Sequence, residues 1–447
     1  METLGLPNLS PPLRFPKVCV YGLWHLGVVT SACLAELGYK VTGASHDGSV
    51  ITNLSHAKAP LFEPGLDELV SKHLNTGNLR FGSDLEKALD GSDFFILAVD
   101  TPINEHDEVD LSSLYSIIRE AAKILSDNVT IIVSSQVPIG TCDEFIKLII
   151  SINPTLKFEL VCVPENLRLG RAIERFMNPD MVVIGSQNSI PSEKARSLFA
   201  PLGSKIVDVD LKTAEMSKHV INTYLGTMIS FANEVANLSD QVGADGRKVL
   251  EVLSLDSRVS PRAPLKPGLG FGGGTLARDL TVLSNLGKLT DVELNLVEGV
   301  IAVNQNQNRR VASKLKRFYG SFEGLIIGVY GLSYKSGTSS IRRSPALEII
   351  KYLTEQGAFI KAHDPKLVKE DLDLYADQFE FFSDPYVVAS GSHAIFFVTD
   401  WPEFSRLDFQ RIKTSMVYPV LLDALNMLNS DYLKGLGFMY QGVGRGL

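Results

Sequence analysis

Two segments of this chain repeat one another: 91-GSDFFILAVDTP-102 aligns without a gap against 391-GSHAIFFVTDWP-402. Each opens on Gly-Ser, runs through mostly apolar residues and closes on Asp-x-Pro. A second echo lies upstream of each copy, where 18-VCVYGLWHLG-27 and 326-IIGVYGLSYK-335 share a strand-like run followed by Tyr-Gly-Leu. A repeated strand-and-turn unit constrains the fold more than any composition figure, because it asks for the same βα architecture twice. Convergence of short buried strands is the competing explanation of such an echo.

The first copy reads as a complete unit. A short buried strand, 17-KVCVYGL-23, is followed by a helix, 27-GVVTSACLAELG-38, and a second strand, 39-YKVTGASHD-47, which predicts a βαβ crossover and a parallel sheet. Further strands are expected at 93-DFFILAV-99 and 130-TIIVSS-135. Between the two copies, about 211 to 243 has helical periodicity. Val220, Ile221, Tyr224, Leu225, Met228 and Ile229 make a wide apolar stripe, whose surface predicts pairing with another subunit. Glu215, Lys218, Asn222 and Asn233 make a second stripe with Gly226 among them, and this one reads equally as a solvated face or as the wall of a cleft. Tyr224 and Phe231 read as core or interface aromatics. The fold class expected is α/β, with two Rossmann-like doubly wound domains joined by a long central helix.

At 447 residues the chain has room for about two to three domains of roughly 150 residues each. A formal net charge of −8 without a long Lys/Arg run argues against nucleic acid as a partner. No apolar run reaches the roughly 18 residues of a membrane span, and METLGLPNLSPPLRFPK lacks the apolar segment of a signal peptide. Cys19, Cys33, Cys142 and Cys162 are too sparse for a disulfide scaffold and lack zinc-like spacing, so no metal is expected. Cys19 and Cys33 read as buried thiols. The expected location is the cytoplasm.

Two glycine clusters suggest chemistry. In 22-GLWHLG-27, Gly22 and Gly27 hold the first and third positions of a dinucleotide fingerprint, while Trp24 replaces the middle glycine and is tolerable only if it points away from the ligand. An ordinary βα turn would look similar. The acid expected to hold a ribose hydroxyl is displaced: Ser45 stands in its place, Asp47 comes two residues later, and no arginine follows to meet a 2′-phosphate, which favours NAD over NADP. The second cluster, 267-PGLGFGGGTLARD-279, suggests a backbone pressed against a ligand or bent through angles other residues avoid.

Taken together, these segments resemble the UDP-glucose/GDP-mannose dehydrogenase family over nearly the whole chain. The resemblance rests on 22-GLWHLG-27, 62-FEPGLDELV-70, 100-DTP-102, 137-VPIGT-141, 164-PENLRLG-170, 215-EMSKHVINTYLGTMISFANE-234, 267-PGLGFGGG-274, Asp279, 335-KSGT-338, 342-RRSPALEI-349 and 440-YQGVGR-445. It implies an N-terminal tail over 1–14, an NAD-binding Rossmann domain over 15–205, a central helical dimerisation region over 206–315 and a nucleotide-sugar domain over 316–447. The implied activity is oxidation of a nucleotide sugar's primary alcohol in two hydride transfers, with NAD as cofactor, a UDP-sugar first among the substrates, and a homodimer or higher homo-oligomer as the assembly. The family captures the intermediate aldehyde on a cysteine of the glycine-rich loop.

By position, the resemblance makes Glu165 the general base, Lys218 and Asn222 the oxyanion stabilisers, and Asp279 the group that assists water and proton movement. It brings Gly22, Trp24, His25, Leu26, Gly27, Asp47, Thr101, Arg278 and Arg342 to the cofactor, and Gly270, Phe271, Gly272, Gly273 and Lys335 to the substrate. It places Arg258 toward a neighbouring subunit's substrate. The departures cluster on the ligand side. Thr275 stands where the family has its cysteine, and an alcohol without a strong base is a far weaker nucleophile than a thiol. Arg278 replaces a common lysine, Leu169 an acid, Ser339 and Ser340 an Asp-Asp pair, and Leu425 an arginine that engages the substrate. Three readings follow: a dehydrogenase with altered chemistry that halts at the aldehyde or oxidises its hydrate, a dehydrogenase of a different substrate, or a catalytically silent nucleotide-sugar and NAD binder.

Overall fold

Strands in which every residue is buried need cover on both faces, and this chain supplies them in two sets. A computed structural model describes residues 16–102 and 109–445; the expected tail over 1–14 lies outside the described residues. The described chain divides into two compact units, one of residues 16–102 and 109–218, the other of residues 219–445.

The first unit holds an eight-stranded sheet made of β1 (Lys17–Tyr21), β2 (Lys40–Ala44), β3 (Leu79–Gly82), β4 (Phe94–Leu97), β5 (Val129–Val133), β6 (Phe158–Cys162), β7 (Val182–Ser186) and β8 (Ile206–Asp210). Its order is β3-β2-β1-β4-β5-β6-β7-β8, parallel apart from the β6–β7 pair. Side chains along β1 and β4 alternate between two cores. Val18, Val20, Phe94 and Ile96 face one, and Cys19, Phe95 and Leu97 face the other, as a sheet with helices on both faces requires.

The second unit repeats the plan with six strands, β9 (Ile326–Tyr330), β10 (Phe359–His363), β11 (Glu380–Phe381), β12 (Ala394–Phe397), β13 (Val420–Asp423) and β14 (Met439–Gly442), all parallel in the order β11-β10-β9-β12-β13-β14. The two segments whose sequences repeat are β4 and β12 with their flanks. Tyr21 pairs with Leu97 in one sheet and Tyr330 with Phe397 in the other, so even the register repeats. The repeat is structural, and convergence is not needed to explain it.

The central helix runs Leu211–Val242 and inverts the usual amphipathic arrangement. Its polar stripe is buried, with Glu215, Lys218, Asn222 and Asn233 all below a tenth exposed, while Met216, Val220, Tyr224, Phe231, Leu238 and Val242 are exposed. The stripe is therefore not a solvated face. The compact units divide inside this helix, between 218 and 219. The physical reason is that the helix's first turns bond to the first unit and the rest to the second.

Candidate active site

Where β1 ends, Gly22 takes φ +102°, and a Cβ there would lie 2.7 Å from the Ala98 carbonyl oxygen. A Cβ on Gly27 would lie 1.6 Å from the Gly22 carbonyl oxygen, so both fingerprint glycines are required by close approach of backbone to backbone. Trp24 between them is extended, at φ −87°, and caps the helix His25–Glu36, so no backbone strain asks for glycine there; its ring is half exposed. A tight glycine turn feeding a helix N-terminus at the carboxyl edge of a parallel sheet is an anion-binding arrangement, and it fits the pyrophosphate of a dinucleotide. Asp47 caps the helix Gly48–Ser55, and the Ser49 hydroxyl with the Ser49 and Val50 amides holds its carboxyl below the ordinary range. Ser45 accepts from the Asp47 amide. The Thr101 hydroxyl donates to the Gln136 carbonyl.

The His25 side chain is buried against Glu63, its Nε2 being 2.8 Å from Glu63 Oε2. Glu63 also accepts from the amides of Gly170 and Ala172, both at 2.8 Å. One buried carboxylate thus joins the first turn of the His25–Glu36 helix to the end of the segment that carries Glu165. Burial pushes the Glu63 carboxyl up, but the bonds from His25, Ala172 and Gly170 outweigh it and hold it below the usual range. Glu165 accepts from the Leu167 amide and lies 3.4 Å from the buried ammonium of Lys218, so the structure brings these two expected residues together. Glu215, on the same stripe of the central helix, accepts from the Gly140 and Cys142 amides at the start of the helix Thr141–Ile152. An apolar cavity of about 70 Å³ adjoins Glu165 and is lined in part by Leu26, Phe176 and Phe199.

In the second unit the glycine-rich loop is held by side-chain amides. Asn233 accepts from the Gly268 amide, Asn308 from that of Gly270 and Asn304 from that of Phe271, while Gln307 donates to the Gly268 carbonyl. A Cβ at Gly270 would stand 2.8 Å from Asn304 Oδ1, and one at Gly272 2.6 Å from the Arg343 carbonyl oxygen. These glycines are small because the protein presses on the loop from within, and of the run 272–274 only Gly273, at φ +78°, has left-handed backbone. The run 304-NQNQN-308 was the unread signal for this support. Thr275 is exposed at the N-terminus of the helix Leu276–Leu289, where its hydroxyl makes no capping bond.

One turn into that helix, Asp279 is fully buried. Asn222 Nδ2 lies 2.5 Å from one of its oxygens and His219 Nδ1 2.8 Å from the other. Sequence reasoning missed His219, although its position three residues before Asn222 puts both on one helix face. Arg278 Nε lies 3.8 Å from Asp279. The Arg342 guanidinium reaches within 3.4 Å of where a Cβ on Gly274 would be, and Lys335 lies 5.6 Å above the ring of Tyr334, which packs on Gly273. Arg258 is exposed and pairs with Asp256. Leu425 packs beside Gly268 in the core of the second unit.

Family models account for most of the chain. The NAD binding domain of the UDP-glucose/GDP-mannose dehydrogenase family matches residues 16–203, its central domain 212–306 and its UDP binding domain 328–430. The UDP-glucose 6-dehydrogenase TuaD of Bacillus subtilis is 35% identical over 434 residues, covering 96% of this chain and 93% of that protein. Among solved structures, a UDP-glucose dehydrogenase from Pyrobaculum islandicum superimposes with a TM-score of 0.86 at 28% identity, covering 94% of this chain and 96% of that one. A UDP-D-ManNAc dehydrogenase from Pyrococcus horikoshii superimposes with a TM-score of 0.84 at 27% identity, covering 96% and 99%.

Proposed function

The chain belongs to the UDP-glucose/GDP-mannose dehydrogenase family, and from that premise we propose that it oxidises the primary alcohol of a UDP-sugar, with UDP-glucose as the first candidate. The observation that carries the reading is the buried Lys218–Glu165 pair, two residues to which the family resemblance gives proton transfer and oxyanion stabilisation; within the second unit, Asn222 and His219 hold Asp279.

The turn 22–27 holds the dinucleotide's pyrophosphate on helix-terminal amides, and NAD when bound supplies a hydride acceptor. Glu165 takes the alcohol proton. The Lys218 ammonium, buried and close to Glu165, offers positive potential to the developing alkoxide in a site of low dielectric. Thr275, with no base bonded to its hydroxyl among the described contacts, does not take over covalent capture of the aldehyde. The product is the aldehyde, or the acid formed from its hydrate. Leu425 favours a second reading, a different sugar or base, because an apolar side chain stands where the family engages the substrate with a cation.

The exposed stripe of the central helix, continued by Val249, Val252 and Leu255, is the surface of a homodimer. Incubation of the protein and NAD with UDP-, GDP- and dTDP-sugars, followed by mass analysis, tests the function. NADH formation with loss of a UDP-sugar is expected, and no reduction of NAD with any of them overturns the reading in favour of a silent binder.

A further inference from the structure

His219, which pairs with Asp279, has no part in the roles assigned so far. Both side chains are almost wholly buried, at 1% and 0% exposure, with Nδ1 2.8 Å from Oδ1. A carboxylate removed from water is strongly disfavoured unless donors replace its hydration. Asn222 supplies one donor, to Oδ2, and an ionised carboxylate can only accept, so the proton in the His219 bond resides on Nδ1. The charged groups around Asp279 are few. Arg278 Nε is 3.8 Å away on the same helix, and Arg342 lies by Gly274. Lys218, which precedes His219, has its ammonium on Glu165, and Glu298 on the neighbouring helix is taken by Ser284 and Lys288. Two donors on the central helix, one to each oxygen, therefore hold Asp279 in place.

We propose that His219 is a positioning residue, whose Nδ1–H holds Asp279 aimed as the base of a non-covalent route. The proposal rests on the functional reading above and on the role the family resemblance gives Asp279 in moving water and protons. Where a thiol captures the aldehyde, the following step begins from a covalent adduct. With Thr275 in its place the aldehyde's hydrate must give up a hydroxyl proton directly. That O–H bond breaks, a new O–H bond forms on the Asp279 carboxyl, and the negative charge passes to the hydrate oxygen. A base for this step needs an oxygen held toward the hydrate, and the His219 and Asn222 bonds fix both oxygens of the carboxyl group. The same bonds restrict rotation of the carboxyl group, so the base keeps one orientation.

The test compares full-length wild type with His219→Phe and His219→Asn, since Asn can place an amide N–H where Nδ1 stands. Initial rates of NADH formation from UDP-glucose are measured across pH, with melting temperature followed in parallel. In His219→Phe the acid limb should move up by about one to two pH units, the worth of one hydrogen bond to a charged group. kcat at pH 7 should fall while KM for UDP-glucose stays within about twofold, as expected when a group acts on the reacting state. His219→Asn should restore the wild-type limb. A structural role alone would lower the melting temperature and leave the limb unmoved, and that result overturns the proposal. Nitrogen-15 NMR of wild type, with the His219 signal assigned by its loss in His219→Asn, decides the case independently of turnover. A protonated Nδ1 on a neutral ring at pH 7 supports the proposal, and a bare Nδ1 overturns it. If no nucleotide sugar is turned over while Nδ1 is protonated, the functional reading fails and the dyad geometry stands.

Discussion

Glu63→Gln is the substitution whose consequence follows most directly from the structure. The wild-type carboxylate takes three donors: His25 Nε2 and the Gly170 amide on one oxygen, and the Ala172 amide on the other. Glutamine keeps the shape and one acceptor oxygen, but its NH2 must then face at least one N–H. Leaving one buried donor unsatisfied costs about 1–3 kcal/mol. For a unit near 200 residues that corresponds to roughly 2–10 °C in melting temperature. The pH dependence carries a sign. Because Glu63 is held below the ordinary carboxyl range, its contribution is fully present above about pH 4.5 and is lost as pH falls through the lowered folded value. The gap between wild type and variant should therefore be full at pH 7 and narrow only below about pH 4.5. Calorimetric titration should also show weaker NAD binding, since His25 belongs to the turn proposed to hold the pyrophosphate. Equal melting temperatures at pH 7, or a gap that persists unchanged to pH 3.5, would refute this reasoning.

Other expectations are as concrete. Thr275→Cys places a thiol at a helix N-terminus, where thiolate is favoured, and should raise the yield of acid relative to aldehyde toward two NADH per sugar; an unchanged ratio counts against the role given to residue 275. Calorimetry should find NAD(H) bound more tightly than NADP(H), and the reverse order contradicts the reading of Ser45. Charged residues at Phe231 and Leu238 should convert a dimer to a monomer by light scattering, and a wild type that is already monomeric at micromolar concentration removes the proposed interface. All four cysteines are buried, with Cys19 pushed up to about 12 by burial and Cys142 raised by its neighbour Cys162 and by burial. A thiol reagent should label almost none of them before denaturation and all four after it; rapid labelling of the native protein would contradict this packing.

The sheet strands and their repeat were legible because buried parallel strands write themselves as short apolar runs, and one Tyr-Gly-Leu turn occurs twice. The turn 22–27 was legible from Gly22 and Gly27, the two positions at which any side chain collides with backbone. The partners of the candidate site residues and their supports were not. His219 and Asp279 are 60 residues apart in sequence, and Glu63 and Gly170 are 107 apart. No local period announces such pairs, since only the packing of one element on another brings them together. The packing behind the glycine-rich loop was hidden for a related reason. Its small residues answer to Asn304 and Arg343 inside the protein, so their number says less about a ligand than it suggests. The central helix, conversely, was readable as two stripes, but which one faced inward depended on Glu215, Lys218, Asn222 and Asn233 each finding a buried partner.

The chemistry proposed for this chain is oxidation of a nucleotide sugar without covalent capture at residue 275. Intact-protein mass spectrometry of the wild type, quenched during turnover with UDP-glucose and NAD, tests it directly. NADH should form with the enzyme's mass unchanged, and an ester mapped to Thr275 would contradict that chemistry.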